Sequence, residues 1–174
     1  MAALQFDVTR DVPVGLERLW TALDRADYIE QKYRSLGSTS LRILKFSADA
    51  ESIEVELDRQ APVTQDELPT WARVFSGKQQ TMRHHTRWRR ASPDRVDAEL
   101  DVCAMRMLVS AKGTSSVVEL SPGHSRMTLH FDVGSTSPAL KSSVAQVFAR
   151  QVKHALQADH AFTLDYLRAS SDQR

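Results

Sequence analysis

One cysteine, Cys103, stands in the 174 residues, which excludes a disulfide framework within the chain and a thiolate cluster for zinc. Cys103 reads as a structural thiol. Long hydrophobic runs are also missing: no uninterrupted apolar stretch exceeds four residues, so stable membrane insertion is not expected. The opening MAALQFDVTRDVPV meets Asp7 before any run long enough for a signal peptide, and a cytoplasmic protein is expected. Neither sign of charge is in excess. The formal net charge of +1 gives little ground for nucleic acid or an acidic membrane as an obligatory partner. GxSxG, GxGxxG, HExxH and the phosphate loop ending in GKS or GKT are all absent, so no nucleophile elbow, nucleotide cradle or zinc-protease helix is written in the chain. No cofactor and no metal are expected.

What is present is a chain long enough to bury roughly two thirds of the surface its unfolded form exposes. No repeat or composition shift marks a boundary, so a single domain over residues 1–170 with a polar tail over 171–174 is expected. ALQFDVTRDV alternates Leu4, Phe6 and Val8 against polar neighbours, the period of a strand. Asp11 precedes VPVGLERLWTAL, where Pro13 suits a first turn and Leu16, Leu19, Trp20 and Leu23 form one stripe; this predicts a helix. ADYIEQKYRSLG predicts a second, short helix ending at Gly37, a residue suited to a left-handed cap.

The next hundred residues read as hairpins: Leu41 to Phe46 with Ile53 to Leu57, Met82 to Arg90 with Val96 to Ala104, and Met107 to Leu120 with Met127 to Val133. MRHHTRWRR, Met82 to Arg90, has the basic and aromatic content of a strand that holds nucleic acid. Its register argues otherwise. Setting Arg90 opposite Val96 brings Trp88 to Ala98, Thr86 to Leu100, His84 to Val102 and Met82 to Ala104 on one face. The other face then pairs Arg89, Arg87 and His85 with Asp97, Glu99 and Asp101, and a one-residue slip would set tryptophan against aspartate. The arginines are therefore expected to form a neutralised outer face, with no nucleic-acid partner. His84 and His85 point to opposite faces and cannot share a metal. In the sixth strand Met107, Val109 and Ala111 have the opposite parity to Val118 and Leu120, which predicts a bulge near Gly113.

The chain closes with SPALKSSVAQVFARQVKHALQADHAFTLDYLRAS, where Ser137 can cap, Pro138 fits a first turn, and Leu140, Val144, Val147, Phe148, Val152, Ala155 and Leu156 follow helical spacing. Running to Leu167, such a helix spans roughly 45 Å and crosses the whole sheet.

This order of elements resembles the START-like helix-grip superfamily, also called SRPBCC. VPVGLERLWTALDRADYIEQ is similar to that superfamily's opening pattern, with Pro13, Leu19, Trp20, Leu23, Asp24 and Tyr28 in the matching places. LPTWARVFSG, Leu68 to Gly77, is similar to the piece between the third and fourth strands of a bacterial domain-of-unknown-function family within it. The resemblance implies an α+β fold: a seven-stranded curved antiparallel sheet wrapped around a long C-terminal helix (β-α-α-β6-α). It also implies a cavity between the two, which in many relatives takes lipids, sterols, polyketides or other apolar molecules. The same fold hosts carriers, cyclases, hydrolases, regulators and proteins with filled cavities, so it fixes no reaction.

Within that fold the expected cavity wall is Met82, His84, Thr86 and Trp88; Leu100 and Val102; Leu129 and Phe131; and Val144, Phe148 and Val152 on the helix. So apolar a set suits binding of a small apolar or amphipathic molecule of lipid, polyketide or aromatic type better than chemistry. The alternative is a cavity enzyme of cyclase, dehydratase or hydrolase type using His84 as its acid/base group, although a histidine there is ordinarily satisfied by Thr86 or a buried water. A third reading is a non-catalytic interaction module whose own side chains fill the cavity. Arg59 shares the parity of Leu57 and could meet a carboxylate, but at a strand end it is expected to reach solvent, and His160 to be a partly exposed core histidine. DELPTWARVFSG sets Trp71 and Phe75 four apart ahead of Gly77, which makes them a candidate lid over the cavity mouth or a cap on the core.

Overall fold

The structure, a computed structural model, describes residues 4–63, 66, 68, 70, 73, 77–106, 108–135 and 142–170. Strand β1 (Leu4–Val12) leads into two short helices, α1 (Leu16–Leu23) and α2 (Ala26–Ser35). Six strands follow: β2 (Ser40–Ala48), β3 (Ser52–Pro62), β4 (Gln79–Ser92), β5 (Arg95–Ala104), β6 (Val109–Ser121) and β7 (His124–Ser135). The chain ends in the 28-residue helix α3 (Ser142–Ala169), about 42 Å long. The strands form one antiparallel sheet in the order β1-β7-β6-β5-β4-β3-β2. This is the helix-grip α+β fold that the resemblance implied.

The β4–β5 register is the expected one, with Trp88 opposite Ala98, Thr86 opposite Leu100, His84 opposite Val102 and Met82 opposite Ala104. The outer-face charges, however, choose other partners. Arg83 bonds Asp58 at 2.8 Å, while His85 and Arg87 share Glu54 at 2.9 and 3.2 Å. Asp97 and Asp101 are taken by Arg95 and Lys112 instead. The reason is that β4 is an inner strand with acids on both sides, and β3 aligns Glu54 with Arg87 and Asp58 with Arg83. Arg90 reaches α1, where it bonds Glu17 and lies 4.4 Å over the Trp20 ring.

Two local expectations are corrected. Strand β6 carries no register shift at Gly113; its shift against β7 lies between Glu119 and Ser121. Val109, Ala111, Ser115 and Val117 keep one buried parity, while Leu120 is exposed, so the apolar residues beyond Gly113 that pointed to a bulge are outer-face residues. Helix α1 begins at Leu16, after Pro13, because Asp11 still belongs to β1, where it takes the Nε–H of Arg126. The Leu16 amide is met by the Glu119 carboxylate at 3.2 Å. Gly37 does adopt the left-handed conformation expected after α2, with φ of 82°. Ser137, Pro138, Leu140, Met107 and the tail 171–174 lie outside the described residues.

Two packed clusters hold the fold. One sets Val144, Val147, Phe148, Ala149 and Val152 of α3 against Phe6, Met82, Ala111, Phe131 and Val133 of the sheet. The other joins α1 and α2 to Ile53, Val55, Leu57, Val96 and Val117, and takes in Leu167 near the end of α3.

Candidate functional site

Between α3 and the inner face of the sheet lies a cavity of about 480 Å³ whose wall draws on both clusters. Met82, His84, Thr86 and Trp88 line it from β4, Leu100 and Val102 from β5, Leu129 and Phe131 from β7, and Phe148 and Val152 from α3. Val144 packs in the core cluster. The lid candidates Trp71 and Phe75 lie outside the described residues. Cys103 sits on the outer parity of β5, and burial pushes its thiol pKa up, away from thiolate chemistry.

The polar part of the wall is a connected set that the strand pattern only partly signalled. On β3 the inward positions Ile53, Val55, Leu57, Arg59 and Ala61 are all buried, and Arg59 occupies a place where its neighbours are aliphatic. It does not reach solvent: the residue is 7% exposed. Its Nε–H donates to Nε2 of His84 at 2.9 Å, its Nη1 donates to Ser38 Oγ at 3.1 Å, and its guanidinium lies 5.2 Å from the Tyr33 ring centre. Burial lowers the Arg59 pKa, an effect that Tyr33 and Asp159 oppose.

The bond from Arg59 settles the state of His84. An arginine Nε always carries hydrogen, so Nε2 of His84 must accept and the single proton of the neutral ring sits on Nδ1, facing the Tyr33 hydroxyl at 3.4 Å. Burial first, then the charges of Arg59 and Lys32, hold the His84 pKa well below the usual histidine value. His84 is thus a neutral ring whose lone pair is already engaged, not a side chain satisfied by Thr86.

Helix α2 supplies the rest. Lys32 pairs with Asp159 of α3 at 3.6 Å and lies over the rings of Tyr28 and Tyr33. Burial opposes the Lys32 charge, but Asp159 with the two tyrosines outweighs it, and the ammonium pKa moves up. Tyr28 hydrogen-bonds Thr163 at 2.7 Å, and burial pushes its hydroxyl up to about 12. Arg10 donates to the carbonyl oxygen of Leu156 and lines the same space, as does the half-buried His160, whose pKa burial and Arg10 lower. Gln80 Oε1 and Gln151 Nε2, on two further wall residues, are buried without a hydrogen-bond partner among the described residues. No group of three or more metal-ligating side chains occurs among the described residues.

Sheet, gripped helix and the cavity between them define a START-like helix-grip fold. The chain belongs to the family described as "Protein of unknown function (DUF2505)", whose model matches residues 7–167. No curated protein matches it. Among solved structures it is similar to TTHA0849 from Thermus thermophilus, at 12% identity and a TM-score of 0.64 over 97% of this chain and 99% of that one. It is also similar to the ZhuI aromatase/cyclase from Streptomyces sp. R1128, at 14% identity and a TM-score of 0.61 over 95% and 93%. A START superfamily protein from Mycobacterium smegmatis follows at 12% identity and a TM-score of 0.52 over 93% and 98%. At these identities the likeness is one of fold. No helix among the described residues is long and apolar enough to cross a membrane.

Proposed function

We propose that the protein binds a small apolar or amphipathic molecule, of lipid, polyketide or aromatic type, in the cavity between the sheet and α3. The observation that carries this reading is the cavity itself: about 480 Å³ lies within the range of pockets that take small ligands, and most of its wall is aliphatic or aromatic. The same volume speaks against a module whose own side chains fill the space. One structural neighbour is an aromatase/cyclase, but here the histidine suited to proton transfer has its lone pair engaged by Arg59, which favours binding over general-base chemistry. The cytoplasm is part of the reading, as is the absence of a nucleic-acid partner, since Arg83 and Arg87 on the outer face are already paired with acids of β3.

Native mass spectrometry of protein purified from cells, followed by titration with the neutral dye Nile red, tests the proposal. A co-purifying small molecule or saturable dye binding is expected. A protein that is empty and refractory to the dye rejects it, and turnover of an aromatic or acyl substrate that vanishes in His84→Ala would favour the enzyme instead.

A further inference from the structure

The cavity wall is not electrically neutral. Among the described residues Arg10, Lys32 and Arg59 line it against a single carboxylate, Asp159, and that carboxylate is held by Lys32 at 3.6 Å. Arg59 is buried with no carboxylate within ion-pair distance among the described residues; its partners are the neutral His84 ring and the Ser38 hydroxyl. A guanidinium carries five N–H donors in a planar fork, and these two bonds use two of them. A buried cation with only neutral partners is costly for a fold to keep, and a paired anion offsets much of that cost. Asp159 acts on Arg59 only through space, its ion pair being with Lys32; His84 is neutral, and the Tyr33 hydroxyl meets His84 at 3.4 Å.

We infer that the bound molecule is an organic acid with an apolar body, and that Arg59 receives its carboxylate while the aliphatic and aromatic wall takes the body. The fork of Arg59 matches a planar carboxylate in a way that a lysine point charge does not. Tyr33, which lines the cavity and meets His84, holds its hydroxyl beside the Arg59–His84 pair. Val102, Leu129, Phe148 and Val152 supply apolar wall for an acyl chain or a fused ring. His84 acts as a positioning residue here, fixing the guanidinium through Nε2.

The inference rests on the reading that the cavity takes a ligand, and the experiment separates the two. Decanoic acid and decan-1-ol, and likewise 2-naphthoic acid and 2-naphthol, are titrated at pH 7.5 against Nile red on wild type and on Arg59→Met, with Arg59→Lys as a second variant. Thermal melts verify that each variant folds. In the wild type the acid of at least one pair should bind about tenfold or more tightly than its alcohol, the scale of a charge-assisted hydrogen bond taken from water. Arg59→Met should abolish that preference while leaving alcohol binding in place, and Arg59→Lys should restore only part of it. The better pair identifies the body as acyl or aromatic. Equal binding of acid and alcohol by the wild type, or a preference that survives in Arg59→Met, overturns the inference and leaves the cavity standing. If neither acids, alcohols nor Nile red bind, the cavity reading itself fails and this inference with it.

Discussion

Gly113 lies directly under Phe131: a Cβ at Gly113 would come within 2.6 Å of the ring's Cε1 and 2.8 Å of the His130 carbonyl oxygen. The two residues are partners across β6 and β7, and Phe131, which is fully buried and stacks on Phe6 at 5.4 Å, forms part of the cavity wall. Glycine inside a strand costs about 0.5–1 kcal/mol relative to alanine. Here the clash outweighs that gain, because a backbone oxygen cannot rotate away. Gly113→Ala should therefore lower stability by about 1–3 kcal/mol, as overpacking does elsewhere. Urea denaturation measures it, and a variant with the wild-type midpoint would mean that the ring is free to move.

The buried neutral state of His84 predicts the direction of a pH effect. Its folded pKa lies well below 6.5, so in the window from about pH 6.5 downward the unfolded chain takes up a proton that the folded chain refuses. Stability is complete above the unfolded pKa and falls as pH drops toward the folded value, by at most about 1.4 kcal/mol per pH unit for one proton. His160, also lowered, adds in the same direction. His130, raised by its bond to Asp7, acts oppositely, its contribution fading as pH rises through its folded value. His84→Gln can still accept from Arg59 but cannot titrate. Denaturation curves at pH 5.5 and 7.5 should show a smaller loss for this variant than for wild type; identical losses would reject a buried neutral His84.

The fold was legible where two constraints agreed. In MRHHTRWRR the apolar and charged alternations both demanded one register, and the structure has it. The partners of the arginines were not legible, since pairing one hairpin in isolation leaves out β3, which lies on the other side of β4 and offers Glu54 and Asp58. Arg59 escaped for a related reason: a charged residue at inward parity near a strand end reads as a side chain that snorkels to water, and only the packing of α2 over β3 shows that there is none to reach. Tyr28, Lys32 and Tyr33 lie in ADYIEQKYRSLG, which reads as a short helix. A helical period names a buried face without naming the neighbour, so their meeting with Asp159 and Thr163 of α3 had no signal in the sequence.

The corrected charge ladder has its own test. Glu54 accepts from Lys45, His85 and Arg87, and together these hold its carboxyl down at about 2. A double-mutant cycle on Arg87 and Glu54 should give a favourable coupling, whereas the same cycle on Arg87 and Glu99, partners in register but not in charge, should give none. Coupling to Glu99 alone would mean that the side chains pair along β5 after all.

The cavity can be told from a packed core by where added carbon atoms go. Val102 lines the cavity on the inner face of β5, only half-buried, opposite His84 and Ala111. Ala98 is 4% exposed on the same strand face, registered between Trp88 and Ser115, and is not among the described wall residues. Enlarging Val102 to Phe sends a ring into open space, so stability should hold to within about 1 kcal/mol while Nile red affinity falls about tenfold or more, given how steeply apolar pockets discriminate by size. Enlarging Ala98 to Leu pushes atoms into a filled position and should cost about 1–3 kcal/mol. Thermal denaturation and dye titration on the two variants read both quantities. If Val102→Phe is destabilised as much as Ala98→Leu, and the wild type takes up no dye, the space beneath α3 closes in solution and the sheet grips a solid core.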